Sequence, residues 1–124
     1  MTLETTVLTV REVKRGESVG YAGAWRAQRD SAIAILAAGY GDGLPRHLDN
    51  GTPVLIAGAR YPLVGRVSMD MIAVDVTGAP RVVLGSKAVI WGAGLPVEEV
   101  ATHADTIPYE LLCGVSQRVP VELK

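Results

Sequence analysis

The sequence has few cysteines, few aromatic residues, no excess charge and no long apolar run. A single cysteine, Cys113, excludes an internal disulfide and favours a reducing compartment. With 12 Lys plus Arg against 13 Asp plus Glu, the net charge of −1 provides no field that would attract nucleic acid or an anionic membrane. The longest apolar run, residues 32–38, is far shorter than the roughly 20 residues that span a bilayer, and no signal-peptide pattern is present. We therefore expect a cytoplasmic protein that binds neither nucleic acid nor membrane.

The length and the apolar content of the chain predict one domain over residues 1–124. A chain of 124 residues, of which 48% are hydrophobic, can bury about two thirds of its unfolded surface without disulfides or metals. Glycine and proline recur at short intervals and do not gather in a linker, and no internal repeat is present. The chain is therefore expected to form a single core.

Seven segments rich in β-branched or small apolar residues are separated by turn-forming residues, which is typical of strands. They are residues 6–13, 31–38, 53–56, 61–64, 67–76, 87–91 and 119–123. Strands at this spacing, with little helix between them, favour an antiparallel β-barrel or sandwich over parallel βαβ units. The sequence therefore predicts a mainly β domain.

The predicted strand 67–76 changes its apolar phase part-way along. Val67, Met69 and Met71 would share one face, whereas the apolar residues from Ile72 onward take the other. A β-bulge near Met71 would explain the switch and would redirect the residues before it. The alternative is a strand that is buried on both faces, and the pattern alone leaves both interpretations open.

Two short helices are predicted near the C-terminus. Apolar residues recur at helical spacing over 97–104, with two glutamates in the first turn, where they suit the helix dipole. A second helix is predicted over 107–113, because Pro108 lies in its first turn and Gly114 follows its end. Tyr109 would then lie near a helix N-terminus.

Three groups of residues invite a chemical interpretation, and each has a plainer one. They are Asp42, His47 and Asp49 as metal ligands, Cys113 with His103 as nucleophile and base, and the glycine run 39–43 as a phosphate loop. The first lacks the spacing of a known metal site, the second places the thiol on an apolar helical stretch, and the third lacks the Lys-Ser/Thr pair of a Walker motif. We therefore predict no metal site, a buried cysteine and a simple turn.

The tyrosines are notable because the sequence contains four of them and no phenylalanine. Tyr21 lies among small residues, which would leave its phenol open to another molecule. With a reference pKa of about 10, tyrosine is an effective general base only where a cationic neighbour stabilises the phenolate. From the residues alone, a packing role and a catalytic role for Tyr21 both remain open.

Five blocks of sequence, in order along nearly the whole chain, resemble the C-terminal domain of alanine racemase. They are residues 18–21 (Ser-Val-Gly-Tyr), 38–46 (Ala-Gly-Tyr-Gly-Asp-Gly-Leu-Pro-Arg), 64–71 (Val-Gly-Arg-Val-Ser-Met-Asp-Met), 106–110 (Thr-Ile-Pro-Tyr-Glu) and 116–120 (Ser-Gln-Arg-Val-Pro). The resemblance implies a β domain that follows an N-terminal TIM-type barrel, with pyridoxal 5'-phosphate held on a lysine of that barrel. The barrel is absent from this chain, and none of Lys14, Lys87 and Lys124 lies in a motif like that of the cofactor lysine.

The resemblance also implies how the complete enzyme works. Such enzymes are homodimers in which the β domain of one subunit contacts its own barrel and completes the active site in the partner's barrel. They interconvert L- and D-alanine by a two-base mechanism, for peptidoglycan precursors or for alanine catabolism. This chain would then supply half of a catalytic site and would be inactive alone. A β domain that binds a ligand or a protein without catalysis is the alternative.

Residue roles follow from the matched positions. Tyr21 matches the tyrosine base that takes the proton from L-alanine, and Met69 matches the methionine whose backbone amide binds the substrate. Tyr109 matches the tyrosine at the cofactor phosphate, consistent with an anion site at a helix N-terminus. Positions that line the substrate entrance are matched by Tyr40, Arg46, Arg66, Asp70, Ile107 and again Tyr109.

Two positions depart from the residues that other family members carry. Position 25 is Trp where many members carry Tyr, and position 68 is Ser where some carry Cys.

The resemblance also implies which residues are accessible. Because another subunit's barrel would normally cover them, Tyr21, Tyr40 and Met69 are expected to be partly accessible in the isolated domain.

Overall fold

Six strands of the described chain close into an antiparallel barrel. The structure is a computed structural model that describes residues 2–19, 25–45, 48–79 and 81–103. In chain order the strands are β1 (Leu3–Val13), β2 (Ser18–Val19), β3 (Trp25–Arg26), β4 (Ser31–Leu36), β5 (Pro53–Ile56), β6 (Ala59–Val64), β7 (Ile72–Asp75) and β8 (Lys87–Trp91). The order around the barrel is β1-β4-β7-β6-β5-β8, with β8 pairing back to β1, and all pairings are antiparallel. The predicted mainly β fold is confirmed, as a barrel.

The strand predictions are confirmed in most places. Segments 53–56 and 87–91 have the predicted bounds, β1 and β6 begin earlier than predicted, and β4 ends earlier. The two-residue strands β2 and β3 were not predicted, because so short a pair carries no alternating pattern. The predicted strand 119–123 and the predicted second helix 107–113 lie outside the described residues.

The prediction of one continuous strand over residues 67–76 is wrong, and so is the prediction of a β-bulge near Met71. Residues 68–71 form a turn, in which the Ser68 N–H donates to the Met71 carbonyl at 3.1 Å. The Ser68 hydroxyl also accepts a hydrogen bond from the Met71 N–H at 3.1 Å. Because this turn uses the backbone groups that a strand would pair, extended structure begins only at Ile72. From there on, the alternative of burial on both faces is confirmed, since Ile72, Ala73 and Val74 are all buried.

Two apolar clusters explain this two-sided burial. The larger cluster fills the barrel, with Trp91, Leu36 and Ile56 among its fully buried side chains. The smaller cluster lies on the outside of the barrel wall, where the β2–β3 hairpin covers β4, β6 and β7. Its members are Val13, Val19, Ala27, Ile33, Val64 and Ala73, with Trp25 and Ile35 packed against them. The hairpin is therefore attached to one side of the barrel.

The predicted first helix is confirmed as α1 (Val97–His103), with both glutamates in its first turn. Glu99 forms an ion pair with Arg60 of β6. At the other end of α1, the His103 Nδ1 lies 2.8 Å from the Asp49 Oδ1. These two pairs join α1 to β6 and to the segment that precedes β5. Within the described ranges, no helix is long and apolar enough to cross a membrane.

Trp91 provides a test of the barrel interior. It is fully buried, and its indole Nε1 has no hydrogen-bond partner among the described residues. We expect Trp91→Ala to lower the free energy of unfolding by about 3–5 kcal/mol, because a large side chain is lost from a packed core. Trp91→Phe should cost about 1–2 kcal/mol, since it keeps most of the packing and removes a buried N–H that forms no hydrogen bond.

Denaturant unfolding measured by circular dichroism checks this prediction. The matched control is Trp25→Ala, because Trp25 is only half-buried and packs on the outer cluster. A loss from Trp91→Ala no larger than the loss from this control would contradict the placement of Trp91 in the barrel core.

Candidate functional site

The connection between β6 and β7, residues 65–71, carries three of the residues to which the resemblance gives a role. Arg66, Met69 and Asp70 are all exposed, and the exposed fraction of Met69 is 50%. The turn at 68–71 shapes this connection, because the Ser68 hydroxyl also donates to the Met71 carbonyl at 2.8 Å. The connection is therefore a defined turn on the surface of the barrel.

A second segment, residues 39–43, packs directly against this connection. It contains a 3₁₀ helix, Tyr40–Asp42, so the prediction of a simple turn for the glycine run is confirmed. The Tyr40 N–H donates to the Ser68 carbonyl and the Gly41 N–H donates to the Met69 carbonyl, both at 2.9 Å. The structure thus brings Tyr40 and Met69 together, although they are far apart in the sequence.

Gly39 permits this close approach. A Cβ atom at this position would lie 2.3 Å from the Ser68 carbonyl oxygen and 2.5 Å from the Met69 carbonyl carbon. The φ angle of Gly39 is −156°, which any residue can adopt, so the need for glycine here is steric. No function is predicted for Gly39 or for Ser68 from the sequence. The two blocks that contain them were the available signal.

The Met69 N–H has no hydrogen-bond acceptor among the described residues, and the residue is half exposed. The carbonyls on either side of this N–H are both bonded. Arg66 is exposed and forms no hydrogen bond or ion pair within the described ranges. Each of the two groups, an N–H without a described acceptor and an exposed guanidinium, is of a type that binds anions such as carboxylates.

Tyr21 itself lies outside the described residues, but the strands on either side of it are described. β2 and β3 pair through Val19 and Trp25. Val19 packs in the outer cluster with Val64, the last residue of β6, and with Ala73, the second residue of β7. The hairpin that carries Tyr21 is therefore anchored on the two strands that the 65–71 connection joins.

The other predicted site residues are placed as follows. Tyr40 is half-buried and packs against the barrel core, and Asp70 is exposed. Both Tyr40 and Met69 are accessible, as expected for an interface. Arg46, Ile107 and Tyr109 lie outside the described residues. Their roles stay predictions.

The residues considered for other chemistry have different partners. The Asp42 Oδ2 accepts a hydrogen bond from the Gly39 N–H at 3.1 Å. The Asp49 Oδ1 accepts one from the Thr52 hydroxyl at 3.0 Å and also contacts His103, which was the candidate base for Cys113. His47 and Cys113 lie outside the described residues, and the part of the chain that is described contains no cluster of three metal-ligating side chains.

Comparison with known proteins identifies the family. The family model for the alanine racemase C-terminal domain matches residues 1–123. The chain belongs to this family. It is 56% identical over 120 residues to the alanine racemase of Chromohalobacter salexigens. The matched region covers 97% of this chain and 33% of that protein. It is 54% identical over 119 residues to the alanine racemase of Vibrio cholerae, with 96% and 33% covered.

Solved structures of alanine racemases share the fold of this family member. The crystal structure of the biosynthetic alanine racemase from Pseudomonas aeruginosa matches with a TM-score of 0.95 at 49% identity, covering 97% of this chain and 34% of that one. The alanine racemase from Bartonella henselae, which was solved with covalently bound pyridoxal phosphate, matches with a TM-score of 0.90 at 36% identity, with 95% and 33% covered. The chain thus spans about a third of the length of the relatives it matches.

Proposed function

We propose that this chain is the part of an alanine racemase that completes the active site of a partner subunit, in an enzyme that interconverts L- and D-alanine. The observation that carries the proposal is the Met69 N–H, which donates to no acceptor among the described residues and belongs to a half-exposed residue of the family block 64–71. A carboxylate oxygen of alanine is a strong acceptor for such an N–H. The exposed Arg66 adds positive charge to the same connection.

Racemisation requires a proton to leave one face of Cα and another proton to reach the opposite face. Pyridoxal phosphate, when bound, supplies the electron sink that makes the Cα proton acidic. Tyr21 of this chain takes or returns the proton on one face, and a lysine of the barrel serves the other. Tyr109 would contact the phosphate of the cofactor. Tyr40, Arg46, Arg66, Asp70 and Ile107 would line the entrance.

The two described lysines of this chain do not suit the attachment site of the cofactor. Lys14 and Lys87 are exposed on the barrel surface, at 3.9 Å from Glu12 and 3.6 Å from Glu4 respectively. A lysine that forms a Schiff base is typically held in a desolvated pocket, and neither of these exposed side chains lies in one. The unbonded Met69 N–H suits a chain that contacts the substrate while another part of the enzyme holds the cofactor.

The proposed assembly is a homodimer of full-length subunits in the cytoplasm. Met69 and Met71 are 50% and 44% exposed, and a partner's barrel would bury this apolar surface. The single cysteine agrees with a reducing compartment.

A chimaera tests the proposed function. The first two thirds of the Chromohalobacter salexigens alanine racemase would be joined to this chain, replacing the third that it matches at 56% identity. We expect the chimaera to racemise alanine in both directions, measured by circular dichroism of the amino acid, and to elute as a dimer. A dimeric chimaera that binds pyridoxal phosphate but does not racemise alanine would favour a binding module without catalysis.

The isolated chain should neither racemise alanine nor form a stoichiometric adduct with pyridoxal phosphate. A phenol alone does not acidify Cα, and the attachment lysine is expected in the barrel. Incubation with the cofactor, borohydride reduction and mass spectrometry measure any adduct. Low, scattered modification of Lys14, Lys87 and Lys124 is the background, whereas a single-site adduct at full occupancy would contradict the prediction.

A further inference from the structure

We propose that Gly39 and Ser68 are positioning residues that aim the Met69 N–H at the substrate carboxylate. The inference rests on the proposed function, because it assigns to that N–H the substrate contact. Neither side chain touches the substrate. Gly39 acts by letting residues 39–41 approach the connection, and Ser68 acts by closing the 68–71 turn.

The direction of the Met69 N–H follows from the peptide bond that contains it. This bond joins the Ser68 carbonyl to the Met69 nitrogen, and the described residues contain no cis peptide. In a planar trans peptide, the carbonyl and the N–H point in opposite directions. Because the Ser68 carbonyl accepts the Tyr40 N–H at 2.9 Å, the Met69 N–H must point away from the 39–43 segment.

Four further hydrogen bonds prevent this peptide from rotating. The Met69 carbonyl accepts the Gly41 N–H at 2.9 Å, which holds the next peptide plane. On the other side, the Ser68 N–H and the Ser68 hydroxyl both bond to Met71. We call these bonds, together with the Tyr40–Ser68 bond, the Met69 clamp. The clamp satisfies the carbonyls around Met69 and leaves its N–H for a ligand.

The clamp is needed because the connection has no sheet to orient it. Strand pairing between β6 and β7 includes Val64 and Ala73, and residues 66–71 form no strand ladder. A hydrogen bond weakens steeply with misalignment, so an N–H on an unrestrained surface turn would bind a carboxylate weakly. A displacement of 1 Å at a binding group can cost about 10²-fold in rate.

A second serine turn in the same chain provides a matched control. At residues 83–86 the Ser86 N–H donates to the Val83 carbonyl at 3.0 Å, and the Ser86 hydroxyl accepts the Val83 N–H at 3.0 Å. This hydroxyl also donates to the Arg81 carbonyl at 3.4 Å. Ser86→Ala therefore removes the same kind of turn-closing hydroxyl as Ser68→Ala, at a turn that precedes β8.

The test compares Ser68→Ala, Ser68→Thr and Ser86→Ala in the chimaera. We expect Ser68→Ala to raise the KM for alanine about 5- to 20-fold in both directions while kcat changes less than about twofold, because the lost bonds orient a binding group. Ser68→Thr restores a hydroxyl and should recover most of the KM. Ser86→Ala should leave the KM unchanged while lowering Tm by as much as Ser68→Ala does.

A second measurement is independent of activity. The sequence has three methionines, so selective ¹⁵N-methionine labelling of the chain gives few amide signals, and Met71→Leu assigns one of them. Ser68→Ala should broaden the Met69 amide signal, whereas Ser68→Thr, which changes the same neighbouring side chain but keeps the hydroxyl, should leave it sharp. A Met69 signal that is equally sharp in both variants, or an unchanged KM beside a lowered Tm, overturns the proposal. If the unsubstituted chimaera fails to racemise alanine, the proposed function fails, and the Met69 signal alone decides whether the clamp exists.

Discussion

Tyr21→Phe is expected to lower alanine racemisation by about 10²- to 10⁴-fold or more in the chimaera, in both directions. The substitution keeps the aromatic ring and removes the hydroxyl, which is the group that exchanges a proton on one face of Cα. A full turnover needs both faces, so neither direction is spared. The measurement is the rate of D-alanine formation from L-alanine and of the reverse reaction.

Exchange of the Cα proton with solvent deuterium tests the two faces separately. The lysine on the other face should still exchange the Cα proton of D-alanine, so solvent deuterium should enter D-alanine without inversion. The matched control is Tyr61→Phe, because Tyr61 is half-buried on β6 and packs against the barrel core. Near-normal racemisation by a folded Tyr21→Phe variant would refute its role as a base and leave Tyr21 as a packing residue.

Gly39→Ala is the second substitution with a large expected effect. The new Cβ would overlap the Ser68 and Met69 backbone at 2.3–2.5 Å, so one of the two segments must move. We expect the free energy of unfolding to fall by about 1–3 kcal/mol, which is typical of overpacking. The kcat/KM for alanine should fall by up to about 10²-fold, mainly through KM, because the Met69 N–H is displaced.

The control for Gly39→Ala is a glycine whose substitution causes strain without a clash. Gly78 has a φ of +78°, and nothing lies within 4 Å of a Cβ built there. Gly78→Ala should therefore cost about 1 kcal/mol through its backbone conformation and leave kinetics unchanged. Equal KM values for the two variants, measured with unfolding in denaturant, would argue that the contact of Gly39 with the connection does not serve the substrate.

Much of the candidate site was predictable from the sequence only by resemblance. The residues themselves are compatible with either a packing role or a catalytic role for Tyr21. Only the match to the family blocks predicts that Tyr21 is the base. The substrate contact of Met69 was predicted from the same match, but Met69 was expected on a strand with a bulge. The alternation of Val67, Met69 and Met71 is the same for a half-buried strand as for an exposed turn, so spacing did not separate the two.

Contacts across long sequence separations were beyond prediction. Asp49 and His103 are 54 positions apart, and each was considered for a different chemistry before the structure paired them. The approach of Gly39 to Ser68 had no local signal either, because its φ is one that any residue adopts. Only the position of the neighbouring backbone explains why a glycine is required there.

The mainly β antiparallel class, the first helix and the family could be predicted from the sequence, because periodicity, turn residues and motif blocks are local properties of the chain. Three features appear only in the folded structure: the closure of the barrel by β1 and β8, the burial of β7 on both faces, and the pairing of residues 39–41 with the 65–71 connection. These features depend on which distant segments meet. The free Met69 N–H arises in this way, since the Tyr40 N–H that holds the carbonyl of its peptide comes from another part of the chain.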